Sequence, residues 1–169
     1  MVHYFSSNFT LGILGGGQLG KMLLYETRKF DIKTSVLDPS KNAPCKIACD
    51  TFEVGDLMDF DTVYEFGKKV DVLTIEIENV NLDALDKLEE EGLKVYPSPK
   101  TLRLIQNKGV QKDFYIKNQI PTASFKRFSN LNFLRTEIEN GLIKMPFVWK
   151  CAQFGYDGNG VKIVRSILD

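Results

Sequence analysis

A glycine-rich segment is the first group of residues in this sequence that could bind a ligand. Gly15-Gly16-Gly17-Gln18-Leu19-Gly20 matches the pattern Gly-x-Gly-x-x-Gly and lies between an apolar run and a stretch of helical periodicity. Glycines allow a tight turn, and the start of the helix offers N–H groups to an anion. Asp38 follows the next apolar run, where an acidic residue would accept a ribose hydroxyl group. A nicotinamide-dependent dehydrogenase is therefore one hypothesis, and the tight turn of any doubly wound sheet is the alternative.

Two carboxylates follow a further apolar run, in Thr74-Ile75-Glu76-Ile77-Glu78-Asn79. The alternation of a strand places Glu76 and Glu78 on one face and the two isoleucines on the other. Open α/β sheets bind ligands at the carboxyl ends of their strands, and two like charges there need a cationic or hydrogen-bonding partner. We predict that Glu76 holds hydroxyl or amino groups of a ligand. For Glu78, a solvated strand end or a helix cap is an equal alternative.

A second glycine-rich segment, residues 154–160, lies between two predicted strands, the first of which ends at Lys150. It is longer than a two-residue hairpin turn. Successive N–H groups can surround phosphate oxygens, and Lys150 would add a point charge. The pattern predicts a phosphate-binding loop, with a flexible hairpin loop and a surface lysine as the alternative. Lys108 and Lys112 read as surface lysines on spacing alone.

The cysteines Cys45, Cys49 and Cys151 are odd in number and lack the spacing of a disulfide framework, which favours a reducing compartment. A metal site that combines them with His3, the only histidine, matches no zinc pattern. We therefore predict small, buried or half-buried side chains and no metal site.

Composition and charge exclude several classes of function. The 169 residues carry 22 basic and 22 acidic side chains, so the net charge is zero and no basic surface for nucleic acid is indicated. The apolar runs are too short for a membrane span, and the first ten residues lack the pattern of a signal peptide. A cytoplasmic location is expected. The length suits one domain, or one domain and part of another.

Apolar patterning predicts alternating strands and helices up to Pro97. The predicted strands are Leu11–Leu14, Thr34–Leu37, Thr51–Val54, Val70–Ile77 and Val95–Tyr96. The predicted helices are Gln18–Phe30, Phe60–Lys68 and the stretch around Leu82, Leu85 and Leu88. In the first helix the apolar residues at helical spacing are Leu19, Met22, Leu23 and Phe30. Alternation with short connections indicates parallel pairing and an open α/β sheet covered by helices on both faces.

Pro97 and Pro99 bracket a boundary at which the pattern changes. The helices predicted after it are Lys100–Asn107, Val110–Asn118 and Leu131–Asn140. The strands predicted after it are Ala123–Phe128, Phe147–Lys150 and Val161–Val164. A sheet of two or three strands covered by one helix is marginal alone, so this second part looks unfinished.

Taken in order, these motifs resemble the ATP-grasp superfamily and, within it, the N5-carboxyaminoimidazole ribonucleotide synthase family. The resemblance runs from about Leu11 to Val164. It is carried by residues 14–20, 37–39, 74–80, 97–99, 111–112, 120–123 and 155–158. The pair Tyr156-Asp157 separates the chain from the formate-dependent transformylase relative, whose loop is serine-rich at that place.

The resemblance implies an α/β fold in three parts. A Rossmann-like doubly wound parallel sheet, the pre-ATP-grasp domain, would occupy residues 1–97. A helical connection would follow over residues 98–120. Residues 121–169 would begin a small α+β ATP-grasp subdomain.

The implied activity is that of a ligase in de novo purine biosynthesis. ATP phosphorylates bicarbonate to carboxyphosphate, and the amino group of 5-aminoimidazole ribonucleotide captures the activated carboxyl group. The implied cofactors are ATP and Mg²⁺, and the family suggests a homodimer. In this family the metal ligands and the contacts to the substrate phosphate lie beyond position 169, so we expect an N-terminal fragment that is inactive alone and binds nucleotide weakly.

By matching positions, the resemblance assigns the ribonucleotide to Gln18, Glu76 and Tyr156, and the steering of the amine or bicarbonate to Asp157 as catalytic residue. The implied ATP-binding residues are Lys108, Lys150, Gly155, Tyr156, Asp157, Gly158, Asn159, Gly160 and Val161. Three positions depart from the family pattern. Phe154 stands where a glycine is usual, Asn159 where a basic residue is usual, and Lys108 where arginine is common, which gives up bidentate geometry.

Two other classes stay open. A nicotinamide oxidoreductase rests on the first glycine loop and Asp38, and micromolar NADH binding would favour it. A non-catalytic binding module would bind the ribonucleotide without binding ATP, or would join an oligomer.

Overall fold

A computed structural model describes residues 8–153, 155 and 159–168 of the chain. Two compact units divide between Arg103 and Leu104. The strands are β1 (Thr10–Leu14), β2 (Lys33–Asp38), β3 (Thr51–Val54), β4 (Val72–Ile75), β5 (Lys94–Tyr96), β6 (Phe147–Lys150) and β7 (Val161–Val164). The α-helices are α1 (Gln18–Thr27), α2 (Phe60–Gly67), α3 (Leu82–Glu90), α4 (Pro99–Gln106), α5 (Lys108–Lys117) and α6 (Leu131–Glu139). Short 3₁₀ turns span Arg28–Phe30 and Pro44–Ile47.

The first unit is built on a five-stranded sheet in which every pairing is parallel and the strand order is β3-β2-β1-β4-β5. Successive residues of β1 and β2 point to opposite faces, as strand geometry requires. Ile13 and Val36 pack with Leu24 of α1 and Cys45 on one face. Leu14 and Leu37 belong to the larger cluster formed with α2 and α3 on the other. The predicted doubly wound α/β fold is confirmed.

Helix α1 forms as predicted but buries a different face, and it ends at Thr27. Its buried residues are Gly20, Leu24 and Thr27. The apolar residues that the sequence pattern singled out are exposed: Leu19, Met22, Leu23 and Phe30. Gly20 lies directly over Cys45 and Glu76, and a side chain there would contact the Cys45 thiol. Helix α1 therefore lies close to the sheet because Gly20 has no side chain. A pattern of apolar residues does not identify a glycine as the buried position.

Strand β4 is shorter than the predicted Val70–Ile77, because the ladder to β1 ends at Ile75. Glu76 and Glu78 therefore follow the strand and do not share one of its faces. Glu76 is half-buried and Glu78 is exposed. The isoleucines Ile75 and Ile77 both pack against the larger core cluster.

The second unit contains α5, α6 and an antiparallel hairpin of β6 and β7. The predicted strand Ala123–Phe128 is wrong, since this segment pairs with no strand among the described residues. Side chains hold the region instead, with ion pairs from Arg127 to Asp113 and from Lys126 to Glu137. Strand-forming residue types favour extended backbone, but a ladder also needs a neighbouring strand with free N–H and C=O groups. Within the described ranges no helix is long and apolar enough to cross a membrane.

Candidate functional site

The candidate site of the first unit lies at the carboxyl ends of β1, β2 and β4. The chain after β1 builds β2 and β3 on one side, and later adds β4 and β5 on the other. Such a reversal of strand order is where open α/β sheets bind ligands. Gly15 N–H donates to the carbonyl of Leu37 at 2.9 Å, and Glu76 N–H donates to that of Leu14 at 2.7 Å. These two bonds bring the first glycine loop and Glu76 together.

The glycines of this loop make room for a carboxylate. A Cβ atom on Gly17 would lie 2.4 Å from Glu76 Oε1, and one on Gly15 would lie 2.8 Å from Glu76 Oε2. Gly15 has a φ of +96°, which other residues rarely adopt, whereas Gly17 has an ordinary φ of −72°. The glycine at position 17 is therefore required by the contact with Glu76 and not by its backbone conformation.

The Glu76 carboxylate is available to a ligand. It is half-buried, and it makes no hydrogen bond or ion pair with another residue in the described part of the chain. Gln18, the first residue of α1, is exposed beside the loop. The N-cap residue Gly17 supplies no side-chain bond to the first turn of α1. The arrangement offers an acceptor and helix N–H donors to a polar molecule.

The Asp38 carboxylate accepts hydrogen bonds from two backbone N–H groups. Its Oδ2 accepts from Gly16 N–H and its Oδ1 from Ser40 N–H, both at 2.7 Å. A dinucleotide-binding loop of this pattern needs its glycine N–H groups and the acidic residue for the cofactor. Here the N–H group of Gly16 is already bonded to Asp38. The Glu76 carboxylate adds a second negative charge at the loop, which disfavours a phosphate there. The geometry argues against the dinucleotide hypothesis.

Cys45 is a contact residue of the loop that the sequence motifs did not identify. Its N–H donates to the Gly16 carbonyl at 3.0 Å, and its thiol lies 3.6 Å from the Gly17 carbonyl. The side chain is fully buried, as predicted. Burial, and after it the charges of Cys49, Glu76 and Asp38, raise the pKa of the Cys45 thiol to about 11. The thiol is therefore protonated at neutral pH and can donate its hydrogen.

The three cysteines are free thiols, and Cys49 and Cys151 are half-buried. No group of three or more His, Cys, Asp or Glu side chains in the described ranges is arranged to hold a metal ion.

The second unit places the other predicted ligand-binding residues around the second glycine loop. Lys108 is the first residue of α5; its ammonium group donates to the Gly155 carbonyl at 2.6 Å, and its N–H donates to the Ala152 carbonyl at 2.8 Å. Lys150 ends β6, and its register partner Val161 begins β7. Gly160 has a φ of +69° and packs against Cys151, while Asn159 is exposed. Tyr156, Asp157 and Gly158 lie outside the described residues, as does Phe154.

The fold and the loop geometry define an open, doubly wound α/β domain with a candidate ligand site at the reversal of its strand order. The family model described as ribonucleotide synthetase preATP-grasp domain matches residues 9–106, and the chain belongs to this family. Among curated relatives, phosphoribosylaminoimidazole carboxylase of Candida albicans is 36% identical in an alignment of 166 residues that covers 93% of this chain and 28% of that protein. The N5-carboxyaminoimidazole ribonucleotide synthase of Aquifex aeolicus is 35% identical in an alignment of 163 residues that covers 95% of this chain and 41% of that protein.

A solved structure resembles the whole described fold. The N5-carboxyaminoimidazole synthase of Aspergillus clavatus, in complex with ADP and 5-aminoimidazole ribonucleotide, superposes with a TM-score of 0.80 at 30% identity. The match covers 97% of this chain and 42% of that one. The chain thus spans between a quarter and a half of the length of these relatives.

Proposed function

We propose that this chain forms the ribonucleotide-binding edge and the beginning of the ATP-binding subdomain of an ATP-dependent ligase. The ligase carboxylates 5-aminoimidazole ribonucleotide with bicarbonate to N5-carboxyaminoimidazole ribonucleotide in de novo purine biosynthesis. The observation that carries the proposal is the Glu76 carboxylate, which lies against Gly15 and Gly17 at the strand-order reversal with no partner among the described residues. The relatives named above support it, one of them solved with ADP and this ribonucleotide.

The proposed role of Glu76 is to accept hydrogen bonds from hydroxyl or amino groups of the ribonucleotide. An ionised acceptor forms the stronger kind of hydrogen bond, and a half-buried one keeps more of that strength than an exposed one. Gln18 would contact this ligand beside Glu76. The family resemblance gives Tyr156 a contact to the ribonucleotide and Asp157 the steering of the amine or bicarbonate. The amine attacks the carboxyl carbon of carboxyphosphate, the bond from that carbon to the phosphate oxygen breaks, and phosphate leaves with the proton that the amine gives up. This step needs positioning and neutralisation of anions more than an acid–base pair.

The proposed nucleotide contacts lie in the second unit. The ammonium groups of Lys108 and Lys150 have the donor chemistry that phosphate requires, and the ammonium group of Lys108 reaches the second glycine loop, where it donates to the Gly155 carbonyl. Gly158, Gly160 and Val161 would complete the cover of the phosphates. ATP, when bound, supplies the phosphoryl group that activates bicarbonate. We assign no residue of this chain to Mg²⁺.

The proposal also covers the domain organisation, the oligomeric state and the location of the protein. Residues 1–97 would act as the pre-ATP-grasp domain, 98–120 as the helical connection and 121–169 as the opening of the small ATP-grasp subdomain. A homodimer and a cytoplasmic location follow from what the family suggests.

The test is a titration of the isotope-labelled chain with 5-aminoimidazole ribonucleotide, followed by NMR. Glu76→Gln keeps the shape of the side chain and removes its charge, so we expect affinity to fall roughly tenfold, the size of one charge-assisted hydrogen bond. Glu78→Gln is the matched control, because Glu78 is the exposed carboxylate two residues further on. Its affinity should stay within about twofold of the unmodified chain.

Three outcomes contradict the proposal or replace it. Equal effects of the two substitutions would remove Glu76 from the ligand site. Micromolar binding of NADH would restore the oxidoreductase hypothesis. Ribonucleotide binding with no ATP binding, in this chain and in a longer protein that contains it, would indicate a non-catalytic module.

A further inference from the structure

Two residues, one at the end of β2 and one in the turn that follows it, hold the first glycine loop. Asp38 Oδ2 accepts the N–H of Gly16 at 2.7 Å. The backbone N–H of Cys45 donates to the carbonyl of the same glycine at 3.0 Å. Both polar groups of Gly16 are therefore bonded to residues far along the chain. We call Asp38 and Cys45 together the loop clamp.

The thiol of Cys45 extends the clamp to the next residues. It lies 3.6 Å from the Gly17 carbonyl and beneath the first turn of α1, where a Cβ on Gly20 would be 3.0 Å from its sulfur. Ala43, two residues earlier, occupies the space beside Gly16 in the same way, since a Cβ on Gly16 would be 3.0 Å from its methyl group. The loop is thus packed as well as hydrogen-bonded on this side.

Glu76 lies against the same loop. Its carboxylate fits only because Gly15 and Gly17 have no side chains, since a Cβ atom on either glycine would lie within 3.0 Å of a carboxylate oxygen. A small rotation of the Gly16 or Gly17 peptide planes would push the loop into the carboxylate or open a gap behind it. The position of Glu76 therefore depends on what fixes these planes.

We propose that Asp38 and Cys45 are positioning residues, which hold the Gly16 and Gly17 peptides in the conformation that lets Glu76 engage the ribonucleotide. The proposal rests on the proposed function. Neither residue needs to touch the ligand, because the clamp acts through the backbone of the loop.

The hydrogen bonds of the loop clamp determine which substitutions test it. Asp38 accepts two N–H groups, one on each oxygen, whereas an asparagine in its place would accept one and set its own NH₂ group against the other. Asp38→Asn therefore breaks one bond without changing the volume of the side chain. Cys45→Ala removes the thiol donor, and Cys45→Ser restores a donor of smaller size.

The experiment combines two NMR measurements on the 169-residue chain. Hydrogen exchange of the Gly16 amide, measured without ligand, reports the clamp itself, and we expect roughly tenfold faster exchange in Asp38→Asn. The ribonucleotide titration reports the consequence, and we expect roughly tenfold weaker binding in Asp38→Asn and in Cys45→Ala. Cys45→Ser should recover most of the affinity that Cys45→Ala loses.

The controls are an aspartate and a cysteine of the same unit that do not belong to the clamp. Asp50 accepts from the Thr34 N–H at 2.7 Å at the amino end of β2, away from the glycine loop. Asp50→Asn should lower the free energy of unfolding and leave ribonucleotide affinity within about twofold. Cys49→Ala should do the same. These controls separate loss of positioning from general loss of stability.

The outcomes distinguish the clamp from the proposed function. If the unmodified chain does not bind the ribonucleotide, the proposed function fails, and the proposal that rests on it is overturned as well. If it binds and Asp38→Asn speeds Gly16 exchange while affinity is unchanged, the positioning role alone is overturned. Unchanged exchange at Gly16 also overturns it, as does equal loss of affinity in Asp50→Asn.

Discussion

Gly17→Ala tests the central contact of the site, because the backbone at this position accepts alanine. With a φ of −72° the substitution carries no conformational strain. The new methyl group would lie 2.4 Å from Glu76 Oε1 and 3.1 Å from its Cδ, whereas ordinary contacts begin at 3.4 Å. The carboxylate must therefore move by about 1 Å, which a half-buried side chain can do at modest cost. We expect ribonucleotide affinity to fall roughly tenfold while the fold is retained.

A double-mutant cycle with Glu76→Ala isolates this contact. Gly17 is also the N-cap residue of α1, and alanine at an N-cap costs about 1 kcal/mol relative to glycine whatever lies nearby. Removing Glu76 abolishes the clash but keeps the cap effect, so urea denaturation should give a coupling free energy of about 1 kcal/mol. In the Glu76→Ala background the alanine should weaken binding no further. Equal effects of Gly17→Ala in both backgrounds would refute the reasoning, since Glu76 would then not lie against Gly17.

Two further predictions concern Cys45 and Lys108. The Cys45 thiol has its pKa raised to about 11, chiefly by burial, from an ordinary 9.0. The folded state thus keeps the proton longer than the unfolded state, and the resulting stability is present below pH 9 and lost as pH rises toward 11. Between about pH 8 and pH 11 the unmodified chain should lose about 2 kcal/mol more unfolding free energy than Cys45→Ala, and equal losses by urea denaturation would contradict this. Lys108→Met keeps the stem of the side chain and removes the donor to Gly155. ATP affinity by calorimetry should fall roughly tenfold, while Lys117→Met on the same helix changes it less than about twofold, and the reverse order would remove Lys108 from the nucleotide site.

Local sequence patterns predicted most of the secondary structure of the first unit. Every predicted strand and helix before Pro97 is present, because each depends on apolar periodicity and on glycine and proline breaks within a few residues. The errors have a common physical origin. Ala123–Phe128 has strand-type residues and no partner strand among the described residues, and α1 buries Gly20 in place of its larger apolar residues. Pairing and choice of face depend on neighbours that are distant along the chain.

In the candidate site too, the sequence predicted local features but not the contacts between distant residues. The glycine pattern and Glu76 were recognisable as candidate ligand-binding groups, but their contact was not, since it joins residues about 60 positions apart through the pairing of β1 with β4. The bond of Asp38 to the loop was not recognisable from the sequence for the same reason. Its place after a strand suggested a ribose acceptor, and only the fold shows that its carboxylate accepts the N–H of Gly16, 22 residues away.

The sequence by itself determined the alternation of strands and helices, the two glycine loops and the chemical types of the groups beside them. These features follow from side-chain size, polarity and backbone freedom over short stretches. Tertiary structure alone decided which groups remain available to a ligand. The fold brought Asp38 and Cys45 to the first loop, 22 and 28 residues along the chain from the glycines they bond, and brought Glu76 to the same loop from the end of β4. The Asp38 carboxylate uses one acceptor site on each oxygen for a backbone N–H group, whereas the Glu76 carboxylate makes no such bond within the described residues and keeps its acceptor sites for a ligand.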